Sequence, residues 1–324
     1  MANFEFKTLI TDGTEHYEIL AQEKTEPPRM TFKSAAFPSS LISFLYFDID
    51  RIAPLFKKAA DNLWSLMTTE EIMPTEAEKY AGEAKASLAA LAPMHVYFEY
   101  VFLYWSGCID LASNMNFYTD NLLHRSELRS MPANLKFIQE QIADLFAHVL
   151  DADTEKTAIP QKMAAYYKQA GERAFQFCPQ PIGYELYNGE VFAEVFYPKS
   201  IYDLIDYHLR ECVKREIKMR VCKNCKRWFA VTGHGAPEYC DRIADSKGRT
   251  CKQIGAVTKW ANKQKTNNVF TTYRREYKKR FARIRTGRLG ADDFYAWSEE
   301  ARQKKAEYEA GAISQDDFLE WLKK

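Results

Sequence analysis

Four cysteines restrict what this chain can fold into more than any other feature. Cys222 and Cys225 have two residues between them, Cys240 follows after 14 intervening residues and Cys251 after 10 more. Two thiolates at that first spacing face one ion when the backbone between them turns tightly, and a second pair arriving from a later loop completes a tetrahedron. Zinc takes such a set of soft ligands, and a shell closed by four thiolates leaves no position for water. The expectation is one structural Zn2+ held by Cys222, Cys225, Cys240 and Cys251. In small finger peptides such binding contributes on the order of 10 kcal/mol to folding. His234 competes with Cys251 for the fourth position, although Gly233 and Gly235 on either side make it read as the tip of a loop. A thioredoxin-like redox pair is disfavoured, because no strand-then-helix context surrounds Lys223 and Asn224. Cys108, Cys178 and Cys212 read as core thiols.

Charge is the second constraint. The formal total is +1, but Lys214 to Arg288 carries 22 Lys and Arg against 5 Asp and Glu. The segment before it carries 18 against 30, and the segment after it 5 against 9. Within the basic segment, Thr272 to Arg288 sets Tyr273, Tyr277, Phe281 and Ile284 at three- and four-residue spacing, an apolar stripe for one side of a helix. Arg274, Lys278 and Arg285 fall near one remaining face, and Arg275, Lys279 and Arg283 near another. Phosphates attract such a surface without regard to base sequence. Lys223, Lys226 and Arg227, with Arg242, Lys247, Arg249, Lys252 and Lys259, would extend the patch. The competing reading is that the basic face docks on an acidic domain or an acidic protein partner.

The rest of the chain reads as mainly helical. Phe4 to Leu20 alternates around Asp12-Gly13, which predicts a hairpin closed off by Pro27-Pro28, and Asn188-Gly189 between Tyr184–Tyr187 and Val191–Phe196 predicts a second. Ser39-Ser40 is expected to cap a helix through Leu41, Phe44, Ile49 and Ile52 that breaks or kinks near Pro54. Further helices are expected from Thr75 to a stop at Pro93, from His95 to Leu123 as the central core helix, and from Asn134 to Leu150. Ser200 with Asp203 resembles a capping box ahead of a helix through Val213. Beyond Cys251, helices are expected over Ala256–Lys265 and Phe270–Arg285, with Gly287 as a C-cap. A repeat of 24-residue period ends the chain, GRLGADDFYAW from Gly287 matching GAISQDDFLEW from Gly311. Each copy reads as a glycine stop, an aliphatic anchor and a new helix with two carboxylates in its first turn.

VCKNCKRWFAVTGH, followed by EYCDR and RTCKQIGA, resembles the treble-clef-type fingers of bacterial proteins, and is distantly similar to the CGNR zinc-finger proteins. That likeness implies a helical N-terminal domain, a C-terminal finger and a DNA-binding role. The chain carries Cys-Lys-Gln-Ile at Cys251 where that group carries Cys-Gly-Asn-Arg, and its last two cysteines are further apart. The whole chain, including YPKSIYDLIDYHLRECVKREIKMRVCKNC and the repeat ending, is more similar to an uncharacterised bacterial family of unknown function.

The expected architecture is therefore a mainly α chain with two small β-hairpins. Residues 1–215 would form a helical sensor or partner-binding domain. Residues 216–324 would form a zinc finger, about 221–255, with a basic helical extension. The expected function is zinc-dependent nucleic-acid binding, DNA rather than RNA, with a protein-interaction module as the alternative. Enzymatic chemistry is not expected: the chain has no Gly-rich phosphate loop, nucleophile elbow or histidine pair with metal spacing. Glu99, inside an apolar run, reads as a structural carboxylate with a partner. MANFEFKTLITDG lacks the basic start and apolar run of a secretory signal, and the window around Val96–Leu103 is too short and too polar to span a bilayer. A cytoplasmic protein without membrane contact is expected.

Overall fold

The computed structural model describes residues 4–22, 27–69, 73–153, 157–231, 237–266 and 268–324, with the side chains of 260–268 outside the description. His234, the competitor for the fourth ligand position, lies outside the described residues. The chain divides into two compact units, Met1–Val221 with Arg227–Pro237, and Cys222–Lys226 with Glu238–Lys324.

The first unit is built on a five-stranded antiparallel sheet. β1 (Phe4–Thr11) and β2 (Thr14–Ala21) form the first hairpin, and β4 (Ile182–Tyr187) and β5 (Val191–Phe196) the second. Both turns carry two residues of positive φ, Asp12-Gly13 and Asn188-Gly189, which is what a two-residue hairpin turn of matching twist requires. The two hairpins are not separate. Thr8 pairs with Phe196 and Leu9 with Val195, joining them in the order β3-β2-β1-β5-β4. The chain is thus α-rich with both hairpins joined in one five-stranded sheet, rather than helical with two isolated hairpins. β3 (Arg29–Ala36) continues where Pro27-Pro28 signals an end. It is an edge strand with Met30 and Phe32 largely exposed, so it lacks the buried alternation that marks a strand in sequence.

The helices of this unit are α1 (Ser39–Leu45), α2 (Ile49–Thr68), α3 (Pro74–Ala89), α4 (Val96–Met115), α5 (Asp120–Leu123), α6 (Arg125–Leu145), α7 (Ile159–Ala170) and α8 (Ile201–Lys214), of which α1, α4 and α8 pack directly on the sheet. The break near the first helix falls at 46–48, not at Pro54. Asp48 accepts from the Arg51 amide and starts α2 afresh, which leaves Pro54 within its early turns. Ser40 does not cap α1. Its amide and hydroxyl donate instead to Glu15 Oε1, at 2.8 and 2.5 Å. The core helix α4 ends at Asn116, which adopts φ 46°, so the predicted run to Leu123 is two helices. α6 begins nine residues before Asn134 and continues beyond Leu145 as one π turn, Phe146–Leu150. The Ser200 cap is present: its hydroxyl accepts from the Asp203 amide at 3.1 Å. Phe6 meets Tyr100 edge-on at 5.4 Å and Phe196 stacks on Tyr207 at 4.8 Å, tying the sheet to α4 and α8. β6 (Met219–Val221) and β7 (Trp228–Ala230) form a short separate ladder in this unit.

Glu15 is fully buried, and its Oε2 has no hydrogen-bond partner among the described residues. Burial pushes its carboxyl up to about 7, against the hydrogen bonds from Ser40 that lower it. A carboxyl that holds its proton more tightly when folded makes unfolding easier as pH rises from the unfolded value near 4.5 to about 7. Glu15→Gln mimics the protonated form. It is expected to flatten the pH dependence of the melting temperature across that window and to raise stability at pH above 7. A pH series of thermal melts on both proteins checks this.

A serine–histidine pair also lies in this unit, with Ser43 Oγ 2.9 Å from His95 Nε2. It is not a nucleophile–base pair. His95 Nδ1 accepts the Tyr97 amide at 3.1 Å, so Nε2 carries the proton and faces the Ser40 carbonyl at 3.1 Å. Glu99 has the partner expected of it, Lys33 at 2.6 Å.

The second unit contains α9 (Cys251–Thr266), α10 (Asn268–Arg285), α11 (Ala291–Glu309) and α12 (Gln315–Lys323). Val269, Phe318 and Leu322 form its core with Tyr273, Trp297 and Trp321 packed against them. The 24-residue repeat has a structural counterpart. Gly287 (φ 67°) and Gly311 (φ 75°) end α10 and α11 in the left-handed region. After each glycine the next amide bonds back five residues, Arg288 to the Arg283 carbonyl and Ala312 to the Glu307 carbonyl. Glycine suits this termination because it has no Cβ to oppose positive φ. The repeated tryptophans, Trp297 and Trp321, stack at 6.1 Å with an interplanar angle of 6°.

Candidate metal centre and basic helix face

The Cys222–Lys226 stretch closes into a tight turn: the Lys226 amide donates to the Cys222 carbonyl at 2.9 Å, and Lys226 takes φ 59°. That turn brings Cys222 and Cys225 to one side. Cys240 follows Glu238, whose carbonyl accepts the Lys223 amide at 2.9 Å. Cys251 is the first residue of α9 rather than a loop residue ahead of a helix starting at Ala256. The start is fixed by a reciprocal capping box. Gln253 N donates to Thr250 Oγ1 at 3.3 Å, and Thr250 N donates to Gln253 Oε1 at 2.9 Å. The signal was present in sequence as Thr-Cys-Lys-Gln.

The four sulfurs all lie within 4.8 Å of one another. Cys225 Sγ and Cys240 Sγ are 3.7 Å apart, far beyond a disulfide bond. A tetrahedral ion with sulfur ligands at about 2.3 Å has S–S edges of about 3.8 Å. The cluster therefore has the size and donor chemistry to hold one metal ion. Among the described residues it is the one group of three or more candidate ligands gathered this closely.

The surroundings act unequally on these thiols. At Cys222, burial raises the thiol, but hydrogen bonds from the amides of Cys225, Cys240 and Asn224 outweigh it and bring the group down to about 6. The Asn224 side-chain amide donates to Cys251 Sγ at 3.3 Å, and Arg242 Nη1 lies 3.7 Å from both Cys225 Sγ and Cys240 Sγ. Sequence reasoning missed Asn224 altogether and placed Arg242 with the phosphate-facing cations. Four thiolates on a dication leave two negative charges, and a guanidinium against the sulfurs offsets part of them. Burial pushes Cys240 up to about 12 and raises Cys251.

Gly255, in the second turn of α9, is a further residue the sequence did not single out. A Cβ there would meet the Tyr239 ring at 2.3 to 2.5 Å, and Tyr239 directly precedes the ligand Cys240. Overpacking of about 1–3 kcal/mol outweighs the advantage of about 1 kcal/mol that alanine has over glycine in a helix. Gly255→Ala is expected to lower the melting temperature of the metal-loaded protein, which calorimetry reads directly.

The structure separates the sequence-selected cations into three groups. Lys223 and Lys259 both reach Glu238, at 2.5 and 3.2 Å, Arg249 pairs with Asp245 at 2.7 Å, and Lys252 lies 4.0 Å from Asp241. Arg227, in the first unit, stands over the Tyr46 ring at 5.1 Å. The third group rides on α10. Val269, Thr272 and Glu276 are buried and Tyr273, Tyr277, Arg280 and Ile284 half-buried, so that side of the helix is packed. Arg274, Arg275, Lys278, Lys279, Arg283 and Arg285 are all exposed. At roughly 100° per residue they occupy one arc of roughly 180°. Glu276 draws on Lys279 at 3.3 Å and Arg275 at 3.6 Å. Lys278, Arg283 and Arg285 have no ion-pair partner among the described residues.

Over residues 180–324 the chain is similar to a family described as a family of unknown function (DUF6076). The match starts at β4 and takes in α8, all four cysteines and α9 to α12. It agrees with the resemblance to a family of unknown function and adds nothing on the likeness to CGNR proteins. No curated protein and no solved structure matches the chain. No helix among the described residues is long and apolar enough to cross a membrane.

Proposed function

We propose that the second unit is a zinc-ordered nucleic-acid-binding module, with duplex DNA as its expected ligand. The observation that carries this reading is α10, packed along one side and cationic across the opposite arc. A helix of 18 residues is about 27 Å long, enough to follow a phosphate backbone. The zinc assignment rests on the four-sulfur geometry and on the amides aimed at Cys222. The ion acts structurally: it fixes the Cys222–Lys226 turn against the start of α9.

A protein partner with an acidic surface is the second reading. It is favoured by the exposed cationic arc of α10, which attracts the carboxylates of a protein as it attracts phosphates. A salt series separates the two. Full-length protein is titrated into a short labelled duplex and into a single strand of the same length. Affinity that falls steeply with salt supports nucleic-acid binding. Absence of binding at low salt removes it and leaves the protein partner.

A further inference from the structure

The first unit contains a cavity of about 790 Å³ between one face of β1–β3 and the pair α3–α4. Small-molecule sites commonly span about 300–1,000 Å³. It exists because its walls are stripped of bulk: α3 presents Ala86 and Ala89, both exposed, and Gly107 lines the α4 side. Phe4, Ile19, Phe102 and Leu103 supply an apolar surface. Charge is arranged around that surface, not scattered over it. Lys33 on β3 meets Glu99 on α4 at 2.6 Å, and Lys85 on α3 meets Asp110 on α4 at 2.7 Å. These two pairs neutralise one another and leave one lining cation, Arg29. It is exposed, on the edge strand, with no ion-pair partner among the described residues.

An apolar cavity whose lining charges are paired, apart from one guanidinium with no ion-pair partner among the described residues, describes a place for a ligand with an apolar body and a single negative charge.

We propose that this cavity binds an organic monoanion with an apolar body, a fatty or aryl carboxylate. The carboxylate meets Arg29, whose planar fork suits two-point binding of a carboxylate. The body lies along Phe102 and Leu103. The proposal is independent of the nucleic-acid reading, since every residue in it belongs to the first unit.

Calorimetric titration of the full-length protein with decanoate, decanol and decylammonium tests it. Decanoate is expected to bind with one site per chain and more tightly than either counterpart. Ala86→Trp fills the cavity from an exposed helix position and Arg29→Gln removes the charge. Each is expected to weaken decanoate by about tenfold or more, with melting temperature unchanged. Saturable binding that Ala86→Trp leaves untouched would place the ligand elsewhere and overturn the assignment. So would equal or tighter binding of decylammonium, or no saturable binding of any of the three.

Discussion

Replacing Cys222 and Cys225 together by serine is expected to leave the full-length chain without bound zinc and to unfold the region from Cys222 to the first turns of α9. Few apolar side chains are available there to compensate. Between Cys240 and Cys251, Ile243 is largely exposed, and the described segment is held by backbone bonds such as Lys252 N to the Cys240 carbonyl at 3.0 Å. Metal binding of about 10 kcal/mol or more in finger peptides equals the whole stability of many domains, about 5–15 kcal/mol. Without the ion, three of the remaining interactions also lose their purpose: the amides aimed at Cys222, the Asn224 contact to Cys251 and the Arg242 contact to two sulfurs. Metal analysis should fall from one equivalent to background. Amide exchange around 238–255 should lose its protection while the first unit retains its own. Cys178→Ser, which removes an exposed thiol outside the cluster, should change neither.

The second large effect concerns α10. Arg274→Gln with Lys278→Gln removes two cations that fall about 40° apart on the exposed arc, at positions where helix propensity is nearly preserved. If each contacts one phosphate, the slope of log affinity against log salt should flatten by about two, and affinity near 0.15 M salt should fall roughly thirtyfold. The effect should be similar for unrelated base sequences, because the lost term is electrostatic. Arg249→Gln is the informative comparison. Asp245 already holds that guanidinium at 2.7 Å, so its loss should change binding much less. Melting temperatures should be unaffected in both variants, since these side chains are exposed.

The sequence carried those features that are written in spacing. The four cysteines are gathered as their intervals suggested, and both Asp12-Gly13 and Asn188-Gly189 turns form because few other residue pairs reach positive φ twice. The glycines of the repeat end helices for the same reason. What was not legible depends on partners distant in the chain. Nothing near Thr8 signals that it pairs with Phe196, and that pairing turns two hairpins into one sheet. β3 is silent in sequence because an edge strand with exposed Phe32 has no buried alternation. Pro54 reads as a break only until Asp48 is seen to start a new helix six residues earlier. In the candidate site, the ligands could be named from their type and spacing, but the residues that support them could not. Arg242 reads as one more phosphate-facing cation until its guanidinium is found against two sulfurs, and Asn224 reads as a spacer. The same limit applies to the basic patch: counting cations overstates it, because Glu238, Asp245 and Glu276 take up several of them.

The most direct test of the account compares zinc-loaded full-length protein with the same protein stripped by a chelator, each titrated into one labelled duplex across a salt series. Tight, salt-steep binding by the loaded form, lost on stripping and restored by adding one equivalent of zinc, is the predicted result. Equal binding by both forms, or none by the loaded form, would contradict a zinc-ordered nucleic-acid module.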